Sequence, residues 1–184
     1  NHSDKKIKGF IVLGIIFVII IASVMLNVMN TVTIAGVKMQ RDEKHPHFYK
    51  KEITAEDVNK IAKLKDLSQL SFEECTINAE NIGVMVGDTM HNIRFKNCNL
   101  TKEQIATLDL SGNKLSSLDL SGSQLDGFDI IEGQQENLSS LHISDTKVSD
   151  ISLLADFTKL GEISADNCGI KDISSLANLE KLTT

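Results

Sequence analysis

Five segments of the chain open in the same way, with apolar residues at the first, fourth and sixth positions. They are "LSQLSF" from Leu67, "MHNIRF" from Met90, "LSSLDL" from Leu115, "LSSLHI" from Leu138 and "LGEISA" from Leu160. A sixth start stands at Leu182. The spacings are 23, 25, 23, 22 and 22 residues. A period in this range predicts one supersecondary unit per repeat, each unable to bury its apolar face alone. Stability then belongs to a stack of such units.

A second register competes in the middle of the array. In "TLDLSGNKLSSLDLSGSQL", Thr107 to Leu125, the phrase "LDLSG" occurs twice at a spacing of ten. Ten residues cannot run out along a strand of about 3.3 Å per residue, turn twice and come back. "TKEQIATLDLSGNK" is therefore the return path of the second repeat, with Leu108 and Leu110 on its convex side. Asp109 then does not belong to the outward strand row.

The soluble part, from about Leu67 to Thr184, resembles bacterial leucine-rich repeat proteins. "LSSLHISDTKVSDISLLADFTK" and "LGEISADNCGIKDISSLANLEK" are similar to internalin-type repeats, since both are 22 residues long and carry "DIS" followed by "LA". The first three repeats fit more loosely. The resemblance implies an α/β leucine-rich repeat solenoid. A curved parallel sheet would line its concave side, with short helices and irregular segments on its convex side. It also implies protein–protein recognition and a helical N-terminal cap.

In this register, side chains alternate inward and outward along each strand. Leu67, Leu70 and Phe72 point inward, as do Met90, Ile93 and Phe95; Leu115, Leu118 and Leu120; Leu138, Leu141 and Ile143; and Leu160, Ile163 and Ala165. Ile77, Leu100, Leu125, Val148 and Ile170 form a second layer. The convex side closes with Ile82, Val84 and Val86; Ile105 and Leu108; Phe128 with Ile130 or Ile131; Ile151, Leu154 and Phe157; and Ile173, Leu176 and Leu179. Three positions after the last inward residue stand Cys75, Cys98, Ser123, Thr146 and Cys168. All are small side chains able to donate to backbone groups at the turn. They are expected to form a structural ladder. Cys75 and Cys98 would lie about one strand spacing of 4.8 Å apart, with side chains pointing in parallel, so buried thiols are expected over a disulfide.

The outward strand positions are Ser71 and Glu73, Arg94 and Lys96, Asp119 and Ser121, His142 and Ser144, and Ser164 and Asp166. They make the candidate partner-binding face, with Arg94, Lys96, Asp119 and His142 at its centre. A plain solvated face is the alternative. The row lacks the aromatic anchors common at interfaces. No phosphate loop, HExxH or nucleophile elbow occurs, and the expectation is no enzyme, no cofactor and no metal. His142 near Asp119 and Asp145 is the one acid–base grouping, and such groupings are common on repeat surfaces. The net charge of -6 argues against nucleic acid as a partner.

Before the array, "ITAEDVNKIAKLKDL" predicts an amphipathic cap helix from Ala55 to about Lys65, within a cap spanning 53–66. Thr54 and Asp57 form a capping box, and Val58, Ile61, Ala62 and the edge residue Leu64 share one face. Residues 30–52, including "HPHFYK", show no convincing pattern and are expected to be a linker. From Gly9 to Val37 no residue is charged. "FIVLGIIFVIIIASVML" (Phe10 to Leu26) approaches the roughly 20 residues that cross a bilayer. A transmembrane helix over 9–29 is expected, uncleaved, although a signal peptide remains open. Lys5, Lys6 and Lys8 place residues 1–8 in the cytoplasm by the positive-inside rule and the repeats outside. The expected protein is a single-pass membrane protein displaying an extracytoplasmic module for a protein or cell-surface ligand. A structural spacer remains an alternative. So does a fragment of a larger enzyme or signalling protein, since the chain stops as a repeat begins.

Overall fold

The computed structural model describes the backbone of residues 2–183, and the side chains of residue 12 and residues 14–183. The chain opens with helix α1 (His2–Met29). A hairpin of β1 (Thr31–Ile34) and β2 (Val37–Gln40) follows. Strands β3 (His47–Tyr49) and β4 (Glu52–Thr54) lead into helix α2 (Ala55–Ile61). The array contributes β5 (Gln69–Glu73), β6 (Thr76–Asn78), β7 (Asn92–Lys96), helix α3 (Lys102–Ala106), β8 (Ser117–Asp119), β9 (Ser140–His142) and β10 (Glu162–Ser164). Short 3₁₀ turns on the far side complete the coils at Gly83–Met85, Asp129–Ile131, Ser152–Asp156 and Ser174–Leu176.

The main sheet runs β10-β9-β8-β7-β5-β3, every pair parallel. Leu70, Ile93, Leu118, Leu141 and Ile163 pair in one line across it. Leu118 is therefore strand core. Leu108 and Leu110 lie off the sheet, at 6% and 2% exposure. The ten-residue register is excluded by this pairing.

Residues 30–52 are not a linker, which corrects the sequence-based expectation. β3 is the first strand of the sheet, pairing His47 with Ser71, Phe48 with Phe72 and Tyr49 with Glu73. β4 pairs with β6 in a small second sheet, Ile53 opposite Ile77. The rings of Phe48, Phe72 and Phe95 stack at centroid distances of 5.1 and 5.0 Å, all three fully buried. A whole extra coil thus precedes Leu67. Its trace in the sequence is "ITAEDV" against "INAENI", 24 residues apart. That similarity is hidden because a lysine pair, Lys50 and Lys51, stands where the later coils turn.

Each coil leaves its strand through a left-handed residue in the same place. These are Lys50, Glu74, Asn97, Gly122, Asp145 and Asn167, with φ between 51° and 70°. Glycine, Asn and Asp adopt this region readily; Lys and Glu do so at a cost. The ladder follows one residue later. The Cys75 thiol donates to the Phe48 carbonyl (3.3 Å), Thr146 Oγ1 to Ile143 (2.7 Å) and the Cys168 thiol to the same Ile143 carbonyl (3.1 Å). The Cys98 thiol donates to the Lys96 carbonyl, whereas Ser123 Oγ accepts from the Leu125 amide. The three cysteines are free thiols. Burial pushes the Cys98 thiol up to about 12.

The return path of the coil that opens at Met90 is held by two buried amides. Gln134, with no exposed surface, donates to the carbonyls of Leu110 (2.7 Å) and Asn113 (3.2 Å) and accepts from the Leu115 amide (3.1 Å). The Asn113 side chain donates to the Gly87 carbonyl at 2.7 Å. Upstream, α3 carries a capping box of Thr101 and Gln104, and Gln104 also reaches the carbonyls of Ile77 and Ala79.

The core follows the expected inward set with local corrections. Val84 is exposed and Met85 is buried in its place, because the 3₁₀ turn rotates the side chains on by one. Ile163 and Ala165 are only half-buried, as β10 is the last strand of the sheet. Ile173 on the same coil is exposed. Helix α2 ends at Ile61, earlier than expected. Ala62 to Leu64 then tighten, with Lys63 and Leu64 bonding three residues back, which buries Leu64 and leaves Ala62 exposed. The Thr54–Asp57 capping box is present. Asp57 is buried and also accepts from the Ala35 amide at 2.8 Å, tying the hairpin to the cap. Burial alone would raise its pKa. The bonds from Ala35 and Thr54, with the Lys60 charge, instead hold it below the usual carboxylate value.

Along α1, the consecutive residues Ile15 to Ile21 are each at least 40% exposed, so apolar side chains face outward all round. Among the described residues, no helix is long and apolar enough to cross a membrane. The expected span over 9–29 falls partly on side chains outside the described residues.

Candidate functional site

Strand alternation turns every second residue of the main sheet toward one surface, and the parallel register aligns them in rows. The pairings place His47, Ser71, Arg94, Asp119, His142 and Ser164 in one row. A second row holds Tyr49, Glu73 and Lys96, and continues past the ends of the shorter strands to Ser121, Ser144 and Asp166. A third row, Gln69, Asn92, Ser117, Ser140 and Glu162, lies at the strand starts. The face bounds a groove of about 750 Å³ lined by members of all three rows.

All ten residues proposed from the sequence lie on or beside this face. Nine of them are buried or half-buried within it and Asp166 is exposed. Sequence reading missed His47 and Tyr49, because their strand lay in the supposed linker. Tyr49 supplies the exposed aromatic residue that the array otherwise lacks on this face. The third row was also missed; its positions precede the fourth-position apolar residue of each repeat and alternate with it.

Charges on the face are organised in pairs. Arg94 bridges two strands, with Nη2 at 3.4 Å from Glu73 and Nε at 3.3 Å from Asp119. Lys96 Nζ lies 3.4 Å from the other oxygen of Glu73. Asp119 is 7% exposed, and its second oxygen accepts from the Ser121 amide at 3.0 Å. Arg94 Nε is screened from solvent and close to Asp119, yet misaligned, so it makes no hydrogen bond. The Coulomb attraction is retained while the directional bond is not. Such half-exposed pairs contribute roughly 0–1 kcal/mol each. Their consequence is one of register: they lock the side chains of β5, β7 and β8 into one surface.

At the other end, Ser140 Oγ sits 2.8 Å from His142 Nε2 and 3.2 Å from Glu162, and His142 Nε2 is 3.8 Å from Glu162. Serine and carboxylate both face the same ring nitrogen. A catalytic relay needs the carboxylate on the opposite nitrogen, so this grouping is a polar cluster. Among the described residues no group of His, Cys, Asp and Glu has metal-site geometry. His47 Nδ1 is engaged with Ser71 Oγ at 3.0 Å.

These parallel coils, ladder turns and 3₁₀ return paths define an internalin-type leucine-rich repeat fold. The chain is similar to an internalin, InlF, from Listeria monocytogenes, with a TM-score of 0.51 at 21% identity over 74% of this chain. It spans 39% of that protein's length. Internalin C2 from the same species superposes with a TM-score of 0.49 at 21% identity, over 71% of this chain and 73% of that one. No protein-family model and no curated protein matches the sequence.

Proposed function

We propose that the chain is a membrane-anchored binding module that displays its repeat array outside the cytoplasm and engages a protein or cell-surface ligand through the concave face. The observation that carries the binding role is the continuous groove, with Arg94 clamped between Glu73 and Asp119 at its centre. Fixed polar groups on a rigid sheet lose little entropy on binding. Tyr49 adds an aromatic contact at one end. Ser140 and Glu162 both face His142 Nε2, which makes this end of the face a polar contact surface. The anchor is supported by the exposed apolar residues of α1, in which residues 9–29 extend about 32 Å at 1.5 Å each. The lysines before it support the stated orientation.

A spacer role is the second reading. The observation in its favour is that Arg94 and Lys96 are ion-paired with Glu73 and Asp119 of the same face. Capture of partners by the displayed chain, wild type against Arg94→Glu/Lys96→Glu, separates the two. Loss of capture with an unchanged circular dichroism spectrum supports the binding face. Identical capture by both chains supports the spacer.

A further inference from the structure

The end of α1 is not joined to the array by a tether. The Arg41 guanidinium donates to the carbonyl of Met29 at 3.1 Å, and the Arg41 amide to Asn30 at 2.8 Å. The Asn30 side chain bonds Gln40 at 3.1 Å, and Thr31 Oγ1 caps the Val28 carbonyl at 3.2 Å. The helix's last turn is thereby fastened to both strands of the β1–β2 hairpin. The hairpin is fastened in turn to the array. Ile34 is fully buried, Val32, Val37 and Met39 pack against the same core, and Asp57 holds the Ala35 amide.

Charge is divided along the same line. Residues 30–46, before the first coil, carry three basic and two acidic side chains; residues 47–184 carry thirteen basic and twenty-two acidic. The hairpin collar carries a net charge of +1 and the array is strongly anionic. Val28 and Met29, directly before the hairpin, are 64% and 74% exposed. A cleft of about 590 Å³ opens between the helix end and the collar, lined by Asn27, Lys38, Met39, Glu43, His45 and His47 among others. Glu43 in that cleft is engaged by the His45 amide.

We infer that this hairpin collar seats directly on anionic lipid headgroups, with Lys38, Arg41 and Lys44 as the contacting cations, and holds the array at a fixed attitude to the bilayer. The inference rests on the anchor proposed above. Continuity with the apolar helix puts the collar at headgroup level, and its charge is opposite to that of an anionic surface. Basic groups within a Debye length of such a surface are drawn to it. The array's own negative charge is repelled by the same surface, which keeps it standing clear of the bilayer.

The test uses the full chain in vesicles of phosphatidylcholine with and without phosphatidylglycerol. The chain has no tryptophan, so Thr33→Trp places a single indole on the exposed position paired with Lys38. Headgroup-nitroxide lipid is expected to quench that indole at least twofold in the anionic vesicles. Lys38→Glu/Lys44→Glu is expected to abolish the quenching while the chain stays with the vesicles after an alkaline wash. Retention without quenching of the Thr33→Trp chain with its lysines intact, or equal quenching with and without the two glutamates, overturns the collar and leaves the anchor standing. Loss of the chain from the vesicles on washing overturns the anchor and the collar with it.

Discussion

Gln134 is fully buried and makes three hydrogen bonds to the backbone. Replacing it by Met keeps the volume and removes every hydrogen bond of the side chain. The Leu110 carbonyl keeps a second donor, the Asn113 amide. The Asn113 carbonyl and the Leu115 amide have no other partner among the hydrogen bonds of this turn. Two buried backbone groups are left unsatisfied, each at about 1–3 kcal/mol. Gln134→Met is therefore expected to lower stability by roughly 2–6 kcal/mol, a large part of the 5–15 kcal/mol typical of a folded domain. Urea unfolding in mild detergent, followed by far-ultraviolet circular dichroism, measures this directly. Gln134→Glu adds a check of sign. A carboxylate there faces two carbonyls, so its folded pKa is raised. Stability is retained in acid, below the unfolded value, and lost as pH rises through the folded value. A loss below 1 kcal/mol for Gln134→Met would refute the assignment of the return path to this amide.

Three further outcomes follow from the same packing. Gly83→Ala places a methyl group 1.8 Å from the Thr107 carbonyl oxygen, and is expected to cost at least the 1–3 kcal/mol of an overpacked core; an unchanged urea midpoint would show that the coils can separate. Asp57→Asn should loosen the hairpin and cap, with faster amide exchange at Ala35. Because the folded Asp57 pKa is lowered, its contribution is present above the ordinary value of 3.8 and lost as pH falls through the folded value. The wild type should lose cap stability there and the variant should not. The Cys98 thiol, pushed up to about 12, should resist alkylation at pH 8 in the folded chain and react in urea; prompt modification without urea would place it outside the core.

The array was readable because its period, its inward residues and its ladder each follow from one constraint, the stacking of like coils. The two copies of "LDLSG" misled at first sight because they share a local device. In both, an Asp carboxylate accepts from the amide two residues on, Ser111 to Asp109 and Ser121 to Asp119, each at 3.0 Å. Only Gly122 has positive φ, and it marks the strand exit. The first coil was not readable because it departs from the pattern where the pattern is most recognisable. Pro46 precedes its strand, and Lys51 stands at the ladder position. The ion pairs on the face are also invisible to periodicity, since alternation places Glu73, Arg94 and Asp119 outward without fixing which charges meet.

All of this rests on Ser117–Asp119 being the strand between β7 and β9. In a Cys168→Thr background, a short thiol cross-linker applied to Ser117→Cys/Ser140→Cys and to Asp109→Cys/Ser140→Cys tests that placement. Ser117 and Ser140 are direct cross-strand neighbours. Efficient linkage of the first pair and none of the second is the result expected. Linkage of the second pair in place of the first would contradict the register, and with it the binding face built on Arg94 and Asp119.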